Sequence, residues 1–354
     1  MDPKRRGFLD ELLSLSTPSG FEADGQRRWL AYVSEYADET RVDAYGNAVA
    51  VQEGDGDVPS VAIGGHGDEI GLMVRAIDDN GFLKLTRIGG SDRTVTRGQH
   101  VTVHTDAGSV PGVIGQVAIH LRDSSDDEYD EIAQQKIDIG VEDGEAAREL
   151  VDVGDPVTLD TEISELADGR LAARGMDNRV GIWTAAEAFR RAVESGVEGT
   201  VYAVSTVQEE VGLQGARMVG FDLDPDAVVA VDVTHATDQP DSPGDKGSDI
   251  ELGSGPVVSR GSANHPALVD AVRRVGDDSG IDTQLSAAGT RTGTDADAFY
   301  TSRGGTPALN LGIPNRYMHT PVEVVDLSDL DAAAELLAET AGRIGEFAPL
   351  DAGL

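Results

Sequence analysis

Val201-Tyr-Ala-Val-Ser-Thr-Val-Gln-Glu-Glu-Val-Gly212 decides the reading of this chain. The apolar run 201–207 reads as a buried strand. Two adjacent glutamates, Glu209 and Glu210, follow it, and Gly212 supplies a turn. Open α/β sheets bind their ligands beyond the carboxyl ends of their strands. Acids at that place are candidates for chemistry, whereas pairs such as Asp78-Asp79, Asp126-Asp127 and Asp277-Asp278 read as solvated surface.

Outward from this stretch, apolar runs and helical segments alternate. Asn47-Ala-Val-Ala-Val51 and Ser60-Val-Ala-Ile-Gly64 read as strands, the second leading to His66. Ala227-Val-Val-Ala-Val231 leads to Asp232, and a further strand is expected at 306–311. Helices are expected from about Asp177 through Phe189, over 214–219, 264–279 and 327–345, and as a pair within the first forty residues. Strands alternating with helices predict an α/β fold, a mostly parallel sheet with helices on both faces. Residues 74–165 have a different texture. Phe82-Leu-Lys-Leu-Thr86, His100-Val-Thr-Val-His104, Val110–Val117, Lys136-Ile-Asp-Ile-Gly140 and Pro156-Val-Thr-Leu159 are short segments parted by turns, as in a small β-rich domain. We therefore expect one domain built from 1–73 and 166–354, interrupted by a β-rich insert at 74–165. The acidic tract Asp123–Glu131 reads as the most polar loop.

The charge balance bounds the partners. Sixty-four acids stand against 28 Lys and Arg, a net charge of -36. Such a field repels phosphate backbones and argues against nucleic acid. The acids are spread along the whole chain, which reads as a surface adapted to high salt, where screening removes self-repulsion. The absence of cysteine excludes disulfides, thiolate zinc sites and cysteine nucleophiles. The first residues do not read as a signal peptide, and no run approaches a membrane span, so a cytoplasmic protein of a halophile is expected. There is no G-x-S-x-G elbow and no Walker A loop.

Five residues at strand ends and loops can converge on one sheet edge: His66, Asp177, Glu210, Asp232 and His319. Two imidazoles and three carboxylates suit two divalent cations. A bridging hydroxide would bring two such cations and three carboxylates to neutrality. Asp177, at a helix start that would favour its anion, is the candidate bridge. Neighbouring residues on extended backbone point apart, so Glu209 is left free as a general base. Asp68, two residues past His66, is placed to accept the free ring N–H of that histidine. His100, His104, His120, His235 and His265 have no such context.

These residues resemble the tetrahedral (TET) and deblocking aminopeptidases. The resemblance runs in order through Thr17-Pro-Ser-Gly-Phe-Glu22, Gly65-His-Gly-Asp-Glu-Ile-Gly71, Lys136–Gly140, Gly175-Met-Asp-Asn-Arg179 and Gln208-Glu-Glu-Val-Gly212. It continues through Asp232-Val-Thr234, Gly253–Val257, Gly293-Thr-Asp295 and Arg316-Tyr-Met-His-Thr-Pro-Val-Glu323. It implies a phosphorylase/hydrolase-like catalytic domain with a dimerisation insert. It further implies one metal on Asp177, Glu210 and His319, and another on His66, Asp177 and Asp232, with zinc or cobalt as the usual ion. Dimers of such proteins commonly assemble into a hollow tetrahedral dodecamer.

The expected activity is removal of N-terminal residues from short peptides. Arg316 and Tyr317, beside His319, are candidate substrate contacts or loop packing. The alternatives are a metal-dependent amidohydrolase or carboxypeptidase, an endoglucanase working with two carboxylates and no metal, and a non-catalytic assembly protein with closed structural metal sites.

Overall fold

The run 201–207 forms a strand in the middle of a sheet, and the other long apolar runs pair beside it. The computed structural model describes residues 1–54, 56–122, 129–240, 242 and 249–351. Val201–Thr206, Val61–His66, Ala227–His235 and Ala308–Asn315 lie side by side, all parallel. One flank adds Ala48–Gln52 and Glu39–Val42 antiparallel. The other adds Val257–Arg260, antiparallel to Ala308–Asn315, and then Gln284–Ala287. The described residues thus form an eight-stranded sheet that is parallel at its centre and mixed at its rims. Glu39–Val42 and Gln284–Ala287 escape the sequence reading because edge strands need no continuous apolar run, and Val257–Arg260, though paired on both sides, is too short to stand out.

Side chains alternate between the faces of a strand. Val49, Val51, Ala62, Val204 and Val228 pack under the helices Gln214–Asp222 and Ala296–Phe299. Ala48, Ala50, Val61, Ile63, Val229 and Val231 face the larger core beneath Pro3–Ser14, Ala23–Val33, Met176–Ser195, Pro266–Ser279 and Leu327–Arg343. Met176–Ser195 is buried on almost every side, through Val180, Ile182, Trp183 and Phe189. Its indole partners are tied in as well: Trp29 donates to the Ile182 carbonyl at 2.9 Å and Trp183 to that of Arg5 at 3.1 Å. Gly65 permits this helix to press on the sheet, because a Cβ there would lie 2.9 Å from the Gly181 carbonyl carbon and from the Val231 oxygen.

The helix expected from about Asp177 is present as Met176–Ser195, but its first turn is irregular. Asp177 (φ -77°, ψ 102°) and Asn178 (φ -128°, ψ 43°) depart from helical torsions, and regular helix begins beyond them. The carboxylate is therefore held by side chains described below, and not by a helix N-terminus.

Between the sheet strands, Gly71–Ile77, Leu83–Ile88, Lys136–Asp138, Gly108–Ile114, His100–Thr105 and Pro156–Leu159 close into a barrel. Leu72, Val74, Leu83, Leu85, Val101 and Val103 fill it. Residues 123–128 of the acidic tract lie outside the described residues. A third, small sheet joins Ser164–Glu165, Arg170–Ala173 and Glu323–Asp326, with Ala173 opposite Glu323. Among the described residues no helix is long and apolar enough to cross a membrane.

Candidate metal centre

The parallel strands deliver their ends to one place. His66 is the last residue of Val61–His66 and sits opposite Thr206. Glu209 and Glu210 follow Val201–Thr206 after a left-handed Gln208 (φ 56°). Asp232 lies within Ala227–His235, opposite Gly312, so the strand continues through a residue expected to follow it. His319 (φ 63°) occupies the turn between Ala308–Asn315 and Glu323–Asp326, closed by a bridge from Arg316 to Val324.

All five expected ligands and Glu209 come together. Asp177 spans the two imidazoles: its Oδ1 is 3.2 Å from His66 Nε2, and its Oδ2 is 3.2 Å from His319 Nε2. Asp232 Oδ1 is 3.6 Å from His66 Nε2, and Glu210 Oε1 is 3.4 Å from His319 Nε2. Glu209 Oε2 reaches within 3.8 Å of His66 Nε2. Donor atoms of His66, Glu209 and Asp232, and of His66, Asp177 and Glu210, form two groups within 4.8 Å of one another. His100, His104, His120, His235 and His265 join neither group.

Asp68 acts differently from the expectation. His66 Nδ1 lies 3.1 Å from the backbone carbonyl of Asp68, while the nearer carboxylate oxygen is at 3.3 Å. Donation to that carbonyl keeps the proton on Nδ1 and leaves Nε2 as the ligand atom. The fully buried carboxylate instead accepts the backbone N–H of Glu209 at 3.0 Å, that of Glu210 at 3.2 Å, and the Ser19 hydroxyl at 2.6 Å. Asp68 thus fixes the backbone of the glutamate pair.

The titration shifts share one electrical meaning, an excess of negative charge for the burial. Burial pushes Glu209 up to about 10; His66 opposes this, and Asp232, Asp295 and Glu210 add to it. Burial likewise lifts Glu210 to about 7, with Asp177 adding to the effect. Burial would lower His66, yet Glu209, Asp232 and the Asp177 hydrogen bond raise it well above its ordinary value. Hydrogen bonds to Asp177 and Glu210 lift His319 to about 11. Asp177 runs the other way: burial raises it, and the two histidines hold it below the usual carboxylate range. Asp295 Oδ1 is buried without a hydrogen-bond partner among the described residues, and Glu210 Oε1 has only the 3.4 Å approach of His319. A cage of this composition fits divalent cations.

The barrel touches this cage. Gly89 and Gly90 follow its strand Leu83–Ile88. A Cβ on Gly90 would sit 2.6 Å from His319 Nδ1, and one on Gly89 3.2 Å from Glu210 Cβ. Gly90→Ala is therefore expected to displace the imidazole and weaken metal binding roughly 10–100-fold while the barrel stays folded. Calorimetric titration with zinc or cobalt checks this, and unchanged affinity would show that the ring has room to shift.

Other features escaped the sequence reading. Glu323 is 1% exposed and contacts the backbones of two expected ligands. Asp295, also buried, accepts the Thr206 hydroxyl at 2.5 Å. Glu69, fully inside, pairs with both Arg174 and Arg179 beneath the site. Arg316 engages Asp238 through two 2.7 Å bonds, so its guanidinium packs the loop, whereas Tyr317 is exposed. A cleft opens beside Asp177 and His319, walled by Ile70, Val95, Leu159 and Pro321.

A sheet carrying such a cage at its strand ends, with a barrel against it, suits a metal-dependent hydrolase. Comparison narrows the class: the chain belongs to the M42 glutamyl aminopeptidase family, which it matches over residues 46–336, and it is an aminopeptidase. A lysyl aminopeptidase of Pyrococcus furiosus is 34% identical over 349 residues, 97% of this chain and 98% of the relative. The structure of a TET aminopeptidase from a marine-sediment thaumarchaeote superposes with a TM-score of 0.91 at 32% identity, covering 97% of this chain and 98% of that one. The TET1 peptidase of Pyrococcus horikoshii, which can assemble into a tetrahedron or a large octahedral shell, gives a TM-score of 0.85 at 31% identity over 95% and 99% of the two chains.

Proposed function

We propose that this aminopeptidase works with two divalent cations, zinc or cobalt, bridged by Asp177. Glu210 and His319 complete the ligands of one, and His66 and Asp232 those of the other. The observation that carries this reading is the span of Asp177, whose two oxygens each face a different imidazole at 3.2 Å. When bound, such ions polarise the scissile carbonyl and lower the pKa of water. Glu209 takes a proton from the attacking water and delivers it to the departing amine. Burial raises its proton affinity, and the positive charge of bound cations would lower it again toward the range a general base needs. Asp68 holds the Glu209 backbone in place and fixes the His66 tautomer.

The substrates are short peptides with a free N-terminus. Residues 1–73 and 166–354 form the catalytic unit. Residues 74–165 form the dimerisation unit, and dimers join into a tetrahedral dodecamer, as the tetrahedron of the Pyrococcus horikoshii relative suggests. The net charge of -36 supports work in a cytoplasm kept at high salt.

Aminoacyl-p-nitroanilides assayed in high salt test this reading. Hydrolysis is expected with Leu-p-nitroanilide, to be absent with its N-acetyl form, to vanish with chelator and to return with added zinc or cobalt. Equal turnover of the acetylated compound would point to an amidohydrolase, and turnover that survives chelation would end the metal reading.

A further inference from the structure

We infer that Glu323 is a positioning residue that sets the separation of two proposed ligands, Asp177 and His319, and thereby the affinity of the cation they share. Its Oε1 accepts the backbone N–H of His319 at 3.0 Å and the side-chain amide of Asn315 at 3.4 Å. Its Oε2 accepts the backbone N–H of Asp177 at 3.4 Å. One buried carboxylate therefore ties together the backbones of residues separated by about two-fifths of the chain. Three N–H donors converge on its two oxygens, an arrangement that only an acceptor at both positions satisfies.

The topology explains why the tie falls here. Glu323 begins the strand Glu323–Asp326 and pairs with Ala173, the residue that ends Arg170–Ala173 just before the segment carrying Asp177. On its other side, the bridge between Arg316 and Val324 folds the His319 turn back over the same strand. Glu323 thus stands where the two ligand-bearing loops meet. Both its oxygens are taken up by N–H donors of Asp177, Asn315 and His319, so its contribution passes through the residues it holds. A fold-supporting acid could have stood anywhere along this strand. At this register its oxygens reach one ligand backbone on each side.

Its partners differ from those of Asp68, which fixes Glu209 and Glu210. Loss of Glu323 should therefore act unevenly. The cation on Asp177, Glu210 and His319 loses the positioning of two ligands. The cation on His66, Asp177 and Asp232 loses that of one.

This inference rests on the two-cation reading above. Cobalt titration of the full-length protein, followed by calorimetry and by the visible absorption of bound cobalt, separates the two claims. The unchanged protein is expected to bind two ions. Glu323→Gln places an amide N–H₂ against one of the backbone donors, and it is expected to bind one ion about 10–100-fold more weakly, with a much smaller change in the other. Particle size and circular dichroism should stay as before. Should this variant fail to fold, Glu323→Asp keeps the charge but withdraws the oxygens, and the same selective weakening is expected. The coupling is checked by combining Glu323→Gln with His319→Ala, which should cost less than the sum of the single changes. Two ions bound with unchanged affinities in a folded variant would overturn the role of Glu323 alone. A single ion in the unchanged protein would overturn the two-cation reading and this inference with it.

Discussion

Glu209→Gln is expected to bind metal as the unchanged protein does and to lose about 10²–10⁴-fold in kcat. The substitution preserves size and the Asp68 contact, since that contact is made by the backbone N–H of residue 209. It removes only the capacity to accept a proton. The geometry makes metal content the deciding measurement. Glu209 shares with His66 and Asp232 a group of donor atoms within 4.8 Å, so proximity alone would also suit a ligand. If metal content falls together with kcat, Glu209 is a ligand and the base must be sought elsewhere. If kcat is unchanged, it has neither role. The KM for a peptide anilide should hardly move, because proton transfer contributes in the transition state and not in ground-state binding.

Asp177→Asn is expected to have the other large effect, with loss of both ions at ordinary metal concentrations. Each oxygen of Asp177 faces a different histidine, and an amide offers only one anion-like acceptor in place of two. Removing the polarising ions should raise the barrier by about 4 kcal/mol or more, roughly a thousandfold in kcat/KM. The measurements are metal content after dialysis and rescue by excess zinc or cobalt. Two ions retained at normal affinity would remove Asp177 as the bridge. Because Asp177 is nearly buried and its surroundings carry Glu210, Asp232 and Glu323, the variant also bears on stability. Thermal unfolding of the metal-free variant should accompany the assay, so that loss of fold is not mistaken for loss of ligand.

The contrast between what the sequence disclosed and what it hid has a physical basis. The central strands were legible because they are covered on both faces, which forces continuous apolar runs such as Val61–Ile63 and Val228–Val231. Their ends then marked where His66, Asp232 and the glutamate pair would meet. The rim strand Gln284–Ala287 alternates between exposed and half-buried positions and left no such trace. The proximity of Asp68 to His66 is legible along the chain, whereas its contact to the backbone of residues 209 and 210 has no signature in spacing. Glu323 was hidden for a different reason. In a chain with 64 acids, one more acid carries no information until the strand beneath it is known. Reading Glu323-Val-Val-Asp326 as a buried strand was the available signal, since an acid at the head of an apolar pair is poorly placed for solvent. Gly89 and Gly90 carry no distinguishing signal in the sequence, and only the space around His319 shows why a side chain there would intrude.

The interrupted order of the chain has a consequence during synthesis. His66 leaves the ribosome before the barrel, Asp177 after it, and His319 after both. A growing polypeptide short of the turn after Ala308–Asn315 carries neither His319 nor Glu323, and on the proposed ligand assignment it cannot complete the cage. Hydrolytic capacity would then arise only once the turn carrying His319 and the strand headed by Glu323 have emerged.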